Sequence, residues 1–199
     1  MSLTHQPRFS VLAFLLHRFN PQLSLLLRLL TVAGFKTFGI AKSIVLFALV
    51  AAGRDVRVLL ADDDADDRDF FMDAVSEVAP NVKVETVTNG EQLIHRLSNG
   101  LPLPHIIFLD LNMPVKDGHE CLEEIRGNDK FRHIPIVIYS TSSSNEHIEE
   151  TYAGGASLYV RKPDSFGDLK AIAKKILTLD WDDHQRPSRE NFYLTAKTF

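Results

Sequence analysis

The first 54 residues contain no aspartate and no glutamate, although they carry six arginine or lysine residues. All 26 acidic residues therefore lie in 55–199, where they face 16 lysines and arginines and give that region a net charge of −10. Binding to the phosphate backbone of nucleic acids needs patches of basic side chains. The acidic part of the chain is therefore predicted not to bind nucleic acid.

Cysteine is nearly absent as well, because Cys121 is the single one in the sequence. One cysteine excludes an internal disulfide framework and is typical of a reducing compartment such as the cytoplasm. Cys121 is interpreted as a small residue of the hydrophobic core. The eight histidines do not show the spacing of zinc ligands, so no zinc site is predicted.

The segment 1–54 also lacks an apolar run long enough to cross a membrane, for which about 20 residues are needed. Its longest uncharged apolar run is Ile44–Ala52, nine residues long, and the wider window Leu29–Ala52 contains Lys36 and Lys42. Four interpretations stay open: an extension read from a start codon placed too early, an interfacial or membrane anchor, a signal peptide, and a transit peptide. Membrane contact is expected only if the segment is an anchor.

From Asp55 onward, short apolar runs alternate regularly with amphipathic stretches. The apolar runs predict five strands, which are Val56–Ala61, Val82–Val87, Ile106–Asp110, Ile134–Ser140 and Ser157–Val160. The amphipathic stretches predict five helices, which are Ala65–Ala79, Glu91–Ser98, Gly118–Gly127, Glu146–Ala153 and Phe166–Leu179. This alternation favours an α/β fold with a doubly wound parallel sheet and helices on both faces. The chain is accordingly divided into an apolar, basic extension (1–54), one domain (55–180) and a tail (181–199).

Polar side chains gather at the carboxyl ends of these strands, where doubly wound sheets bind their ligands. They are Asp62, Asp63 and Asp64 after the first strand, Asp110 at the third, Ser140 and Thr141 at the fourth, and Arg161 and Lys162 after the fifth. Clustered carboxylates suit a hard cation such as Mg²⁺. One carboxylate can attack phosphorus and form an acyl phosphate, while a metal and a lysine neutralise the transferring oxygens.

The motifs that carry these side chains resemble the CheY-like receiver domain of bacterial response regulators. They are Leu59–Asp64, Phe108–Pro114, Asp117-Gly118, Ile138–Thr141, Gly155-Ala156 and Arg161–Pro163. The residues Ser-Thr-Ser at the end of strand four and Arg-Lys-Pro after strand five are similar to those of stand-alone regulators that work with phytochrome-like and hybrid sensor kinases. The resemblance covers Val56–Leu179 and implies a flavodoxin-like (βα)5 sheet of order 2-1-3-4-5 that takes part in two-component signalling.

The resemblance assigns roles to individual residues. Asp110 would be the phosphoacceptor, and Asp62 and Asp63 would form an acidic pocket that holds Mg²⁺ together with Asp110 and the backbone carbonyl of Asn112. Asp64 is predicted instead to cap the first helix, as Asp and Asn commonly do. Asp117-Gly118 is predicted to form the turn and cap before the third helix.

The remaining roles lie at strands four and five. Ser140 would hydrogen-bond the phosphoryl group and Lys162 would pair with it, while Pro163 would fix the lysine loop through a cis peptide bond. Tyr159 matches the family's aromatic switch residue, which turns inward when Ser140 moves toward the phosphate. Thr141, the adjacent residue, would take the place of Ser140 if the alignment slips by one.

The resemblance implies a cytoplasmic, single-domain response regulator that is phosphorylated by a sensor histidine kinase or a phosphotransfer protein and signals by protein–protein contact. The tail of about 20 residues is too short for a DNA-binding output domain. It carries Trp181, Phe192, Tyr193 and Phe199, and it is expected either to pack back on the domain or to dock on a partner. A homodimer through the fourth helix, the fifth strand and the fifth helix is a further expectation.

Two other functional hypotheses stay open. One is a Mg²⁺-dependent phosphatase or phosphotransferase with an Asp nucleophile. Such enzymes usually carry a second Asp two residues later, where this chain has Asn112, so turnover of external substrates is not expected. The other is a receiver-like scaffold that no longer takes phosphate, against which the set Asp63, Asp110, Ser140 and Lys162 argues.

Overall fold

The structure, a computed structural model, describes residues 56–100, 102–179, 181 and 187–195. The extension 1–54, with the four interpretations offered for it, lies outside the described residues. Across the part of the chain that is described, no helix combines the length and the apolar character that a membrane crossing requires.

Strands and helices alternate along the described chain. The strands are β1 (Val56–Ala61), β2 (Val82–Val87), β3 (Ile106–Leu109), β4 (Ile136–Ser140), β5 (Leu158–Arg161) and β6 (Tyr193–Leu194). The helices are α1 (Ala65–Val78), α2 (Gly90–Asn99), α3 (Gly118–Gly127), α4 (Asn145–Ala153), α5 (Phe166–Thr178) and the single turn α6 (Arg189–Phe192). All ten predicted elements are present, with ends that differ from the predictions by no more than two residues.

The strands form one parallel sheet of order β2-β1-β3-β4-β5-β6, which confirms the predicted doubly wound arrangement. In the register of the central strands, Leu60 of β1 lies opposite Thr86 of β2 on one side and Phe108 of β3 on the other. The largest difference in strand limits is at β4, which begins at Ile136 rather than Ile134. Pro135 precedes it, and a proline has no N–H group to donate to a sheet.

A hydrophobic core lies on each face of the sheet, because successive side chains of a strand point to opposite faces. Leu59 and Ala61 of β1 belong to the core under α2, α3 and α4, whereas Val58 and Leu60 belong to the core under α1 and α5. Strands buried on both faces have continuous apolar sequences rather than alternating ones. The run Ile106–Leu109, which is fully buried, is another such strand.

The tail adds a sixth strand that the sequence pattern did not predict. Tyr193 and Leu194 pair in parallel with Tyr159 and Val160 of β5. Of the two fates expected for the tail, the structure shows packing on the domain for the described residues 187–195, where β6 covers the edge of β5, while Phe199 lies outside the described residues.

Candidate functional site

The loops that leave β1, β3 and β5 are tied to the neighbouring strands by backbone hydrogen bonds, which fix the side chains of the site. The amide of Asp62 donates to the carbonyl of Val87 at 3.0 Å, and the amide of Asp110 donates to that of Ala61 at 2.9 Å. The amide of Lys162 donates to the carbonyl of Ser140 at 2.8 Å. The site therefore rests on the ends of the central parallel strands.

The ammonium of Lys162 lies at the centre of a carboxylate cluster. Its Nζ atom lies 2.8 Å from Oδ2 of Asp62 and 3.1 Å from Oδ2 of Asp110. Both acids and the lysine are buried, with Asp62 fully so and Asp110 only 6% exposed. The structure thus brings together three residues that were predicted from positions separated by up to 100 residues.

A fourth member of this cluster, Asp67, was missed by the sequence analysis. Its Oδ2 atom lies 2.7 Å from Nζ of Lys162, although its side chain is 39% exposed. Asp67 belongs to the first turn of α1, where acidic residues are common because they interact favourably with the helix dipole. The sequence therefore provided no reason to assign Asp67 a contact with Lys162. The contact becomes visible in the fold, where the first turn of α1 faces the loop after β5.

The charges of the cluster depend on one another. Burial raises the pKa of the Asp62 carboxyl above its usual value, although the close contact and charge of Lys162 act in the opposite direction. Burial alone would lower the pKa of the Lys162 ammonium, but its close contacts with the carboxylates of Asp62 and Asp67, with the charge of Asp110, outweigh burial and raise it. Lys162 is therefore cationic at neutral pH. Its Nζ atom also lies 5.5 Å from the ring centroid of Tyr139, within the range of a cation–π contact.

The acids of the site have the composition and spacing of a divalent cation site. One carboxylate oxygen from each of Asp62, Asp63 and Asp110 lies within 4.8 Å of the others. Oδ2 of Asp62 is buried and accepts no well-aligned hydrogen bond, even though Nζ of Lys162 is close. A buried, unsatisfied carboxylate oxygen beside other hard oxygen donors fits Mg²⁺ or a similar ion. A cation would also offset the excess of carboxylates over the single ammonium.

The loops around the acids are held by caps and by one close backbone approach. Asp64 caps α1, as predicted, by accepting hydrogen bonds from the amides of Asp66 and Asp67. Asp117 caps α3 as predicted and forms a capping box with Glu120. A Cβ atom at Gly118 would lie 2.3 Å from the carbonyl oxygen of Asp110.

Val115 also lies in the loop that follows Asp110, and its backbone is strained. Its φ angle is 70°, and the amide of Lys116 donates to the carbonyl of Pro114 at 2.8 Å. This is a γ-turn with positive φ, which is rare and is disfavoured for a β-branched residue. Backbone strain of this kind tends to cluster at functional sites.

The hydroxyl residues at the end of β4 differ in environment. Ser140 is fully buried, whereas Thr141 is exposed. Oγ of Ser140 accepts a hydrogen bond from the amide of Ser142 at 3.3 Å, and the carbonyl of Ser142 accepts one from the Tyr159 hydroxyl at 3.0 Å. The ring of Tyr159 is fully buried beneath Phe192 and Tyr193 of the tail. An inward rotation would have to start from an exposed ring, and the structure shows the ring already buried.

The other residues singled out from the sequence have simpler environments. The amide of Asn112 donates to Oδ1 of Asp110 at 3.3 Å, and Pro163 is half-buried next to Lys162. Cys121 is buried in the core under α2, α3 and α4, and burial raises the pKa of its thiol to about 12. It therefore does not belong to the carboxylate cluster.

Comparison with known proteins agrees with this geometry. The sequence profile of the family described as "Response regulator receiver domain" matches residues 58–174. The chain is 30% identical over 137 residues to the "Probable methanogenesis regulatory protein FilR2" of Methanothrix harundinacea (strain 6Ac), a match that covers 66% of this chain and 88% of that protein.

Solved structures show the same similarity. The phosphorylated cyanobacterial phytochrome response regulator RcpA is similar with a TM-score of 0.60 and 28% identity, covering 67% of this chain and 99% of that one. The Mn²⁺-bound form of response regulator Rcp1 is similar with a TM-score of 0.57 and 25% identity, covering 66% of this chain and 99% of that one.

Proposed function

The chain belongs to the response regulator receiver domain family, and we propose that Asp110 accepts a phosphoryl group from a phosphohistidine. Receiver domains are signalling proteins of two-component systems, and they interact with histidine kinases or phosphotransfer proteins. The observation that carries the assignment is the position of the Asp110 carboxylate, buried at the end of a central strand and 3.1 Å from the Lys162 ammonium. The proposed phosphodonor is a sensor histidine kinase or a phosphotransfer protein.

The proposed reaction is an in-line displacement at phosphorus. A carboxylate oxygen of Asp110 forms a bond to phosphorus while the bond from phosphorus to the donor's imidazole nitrogen breaks. The leaving nitrogen keeps the electron pair of that bond. Hydrolysis follows when water attacks phosphorus and the bond to the Asp110 oxygen breaks, which regenerates the carboxylate and releases phosphate.

The buried acids support a role for Mg²⁺ in this reaction. Asp62, Asp63 and Asp110 would hold the ion, with the backbone carbonyl of Asn112 as the further ligand suggested by the family resemblance. When bound, Mg²⁺ neutralises charge on the phosphoryl oxygens as they transfer. Without a cation, three carboxylates contact the Lys162 ammonium and a fourth, that of Asp63, lies beside Asp62 and Asp110, so an anionic phosphodonor would be repelled.

Two further side chains are proposed to stabilise the phosphorylated state. Lys162 is positioned to pair with a phosphoryl oxygen, because its ammonium already contacts the acceptor carboxylate. Ser140 is proposed as the hydroxyl donor to the phosphoryl group, in preference to Thr141, since Ser140 faces the interior and Thr141 faces solvent. Charge-assisted hydrogen bonds of this kind are stronger than those between neutral groups.

We propose that the protein does not turn over external substrates, because the position two residues after Asp110 holds Asn112 rather than an acid. Its signal would be passed by protein–protein contact in the cytoplasm, where such phosphodonors are found. The expected homodimer through α4, β5 and α5 stays a proposal. It would use a face on which β6 already covers the edge of β5.

The test is intact-mass measurement after incubation with acetyl phosphate and Mg²⁺. The wild-type chain should gain one phosphoryl unit, and Asp110→Asn should gain none because it keeps the shape but removes the nucleophile. Asp129→Asn is a matched control, since the side chain of Asp129 is 86% exposed. Stoichiometric labelling of Asp110→Asn, or labelling of the wild type that excess chelator does not reduce, would contradict the proposal.

A further inference from the structure

The end of the described chain covers the surface formed by α4 and the edge of β5. The segment Ser188–Leu194, here called the tail strand, contains α6 and β6 and pairs with β5 in parallel. It consists of a single helical turn and a two-residue strand. Elements this short are not stable on their own in water, so the tail strand is held by its contacts to the domain.

Phe192 and Arg189 of the tail strand both contact α4. Phe192 is fully buried, with its ring centroid 5.0 Å from that of Tyr152 on α4 and 6.3 Å from that of Tyr159 on β5. Arg189 donates two hydrogen bonds to the carboxylate of Glu149 on α4, at 2.8 and 2.6 Å, and its guanidinium lies 5.9 Å from the centroid of the Tyr152 ring. An aromatic anchor and a surface ion pair therefore add to the backbone pairing of β6 with β5 in holding the tail strand.

A continuous series of contacts joins this surface to the acceptor site. Oγ of Ser140 accepts from the amide of Ser142, and the carbonyl of Ser142 accepts from the hydroxyl of Tyr159. The ring of Tyr159 then packs against Phe192 and against Tyr193, whose centroid is 5.7 Å away. Ser142 is the link, because its backbone contacts both the site hydroxyl and the tyrosine that supports the tail strand.

We propose that the surface of α4 and β5 is a binding site for a short aromatic strand, that the chain's own tail strand occupies it, and that phosphorylation releases the tail strand through Ser142 and Tyr159. The release depends on the proposed function, whereas the occupancy does not. A phosphoryl group draws the Ser140 hydroxyl toward it and removes the acceptor of the Ser142 amide. When Ser142 moves, the buried hydroxyl of Tyr159 loses its partner, and an unpaired buried polar group is unfavourable. Movement of Tyr159 then removes the ring surface on which Phe192 and Tyr193 pack.

The partner that fits the released surface is defined by the tail strand itself. It is an extended segment that adds in parallel to the edge of β5 and inserts one aromatic side chain between Tyr152 and Tyr159. Addition of a strand to an open sheet edge is a common mode of peptide recognition, in which the backbone gives affinity and side-chain pockets give specificity. An acidic residue at the position of Glu149 favours a basic residue three positions before that aromatic, as Arg189 precedes Phe192.

The release of the tail strand is tested by hydrogen–deuterium exchange on the full chain. Exchange is measured by mass spectrometry during steady-state phosphorylation with acetyl phosphate and Mg²⁺. Amides of 188–194 should exchange about tenfold faster when the chain is phosphorylated, a factor typical of allosteric coupling. Tyr159→Phe keeps the ring but removes the hydroxyl. In this variant, phosphorylation should change the exchange rate of amides 188–194 by less than about twofold. The phosphoryl mass gain is measured in the same samples. If the gain is absent, the proposed function fails, and if it is present while exchange stays unchanged, the release fails.

A second measurement tests the occupancy without phosphorylation. A fluorescent peptide with the sequence of residues 188–195 should bind the full-length Phe192→Ala chain at least about tenfold more tightly than the wild-type chain, whose own tail strand blocks the site. If Phe192→Ala does not fold, Arg189→Glu serves instead. As its reversal, a peptide that carries Arg189→Glu should bind the Glu149→Arg chain more tightly than the chain with both Glu149→Arg and Arg189→Glu, whose restored ion pair holds the tail strand in the site. Equal binding of the peptide to wild type and to a folded variant would overturn the proposal.

Discussion

At the scale of single residues, the contact between Asp67 and Lys162 is expected to change the rate at which the site accepts phosphate. Asp67 competes with Asp110 for the same ammonium and adds a negative charge near the place where an anionic phosphodonor must bind. A hydrogen bond between charged groups contributes about 1.5–3 kcal/mol, and partial exposure of Asp67 reduces this to about 1 kcal/mol. Asp67 is therefore expected to slow phosphorylation rather than to assist it.

Asp67→Asn should accordingly accept phosphate from acetyl phosphate about fivefold faster than wild type, since about 1 kcal/mol corresponds to roughly that factor in rate. The measurement is the initial rate of the phosphoryl mass gain as a function of acetyl phosphate concentration. Asp66→Asn is the matched control, because Asp66 is exposed, lies in the same turn and makes the same change in charge. A slower rate for Asp67→Asn, or an equal gain in both variants, would show that the contact has no such effect.

The strained γ-turn at Val115 leads to a prediction about stability. A positive φ costs a residue with a side chain about 1–2 kcal/mol, and glycine is free of that cost but loses more entropy on folding. Val115→Gly should therefore raise the free energy of unfolding by about 1 kcal/mol in urea denaturation, because the side chain is 74% exposed and its removal costs little packing. Val115→Ala retains the strain and should gain less. A loss of stability in the glycine variant would refute the assignment of strain.

At the scale of helices and strands, the sequence predicted those features that arise from local pattern. The apolar runs of β1 and β3 and the acids that follow them placed Asp62 and Asp110 at one sheet edge, and the structure brings the two together around Lys162. The N-caps Asp64 and Asp117 could also be predicted from the sequence, because a cap is a contact within three residues.

The features that could not be predicted from the sequence depend on contacts between residues that are distant along the chain. Asp67 contacts a lysine 95 residues away, and nothing in its own turn distinguishes it from Asp66. The strand β6 has two residues, which is too short to show the alternation by which strands are recognised. Its existence depends on the open edge of β5 and on the pocket that receives Phe192.

The start of α3 shows how one element positions the acceptor. A Cβ atom at Gly118 would lie 2.3 Å from the carbonyl oxygen and 3.0 Å from the carbonyl carbon of Asp110, so Gly118→Ala must displace the backbone of the acceptor residue. Overpacking of this kind costs about 1–3 kcal/mol, and the displacement should also slow phosphorylation.

Gly127→Ala, at the other end of α3, is the control for this change. A Cβ atom at Gly127 would meet nothing within 4 Å. The stability and the phosphorylation rate of Gly127→Ala should therefore stay close to those of wild type. Both variants are measured by urea denaturation and by the rate of the phosphoryl mass gain. Equal behaviour of the two variants would mean that the loop after β3 tolerates the extra carbon and that Gly118 does not position Asp110.

At the scale of the whole molecule, Cys121 reports on the opening of the core. It is fully buried, and at pH 8 a thiol with a pKa of about 12 is ionised in only about one molecule in ten thousand. Reaction with a disulfide reagent should therefore require exposure of the core, and its rate should rise steeply through the urea unfolding transition. Rapid reaction in native buffer would show that the core under α2, α3 and α4 opens locally.

Asp110 is the proposed site of phosphorylation, and chemical trapping of the acyl phosphate locates the modified residue on the sequence. After incubation with acetyl phosphate and Mg²⁺, borohydride reduces an aspartyl phosphate to homoserine, which peptide mass spectrometry can place on the sequence. Homoserine should appear at position 110 alone, and it should be absent when Mg²⁺ is removed by a chelator. Homoserine at position 62, 63 or 67, or a phosphoryl gain that leaves position 110 as aspartate, would show that Asp110 is not the acceptor.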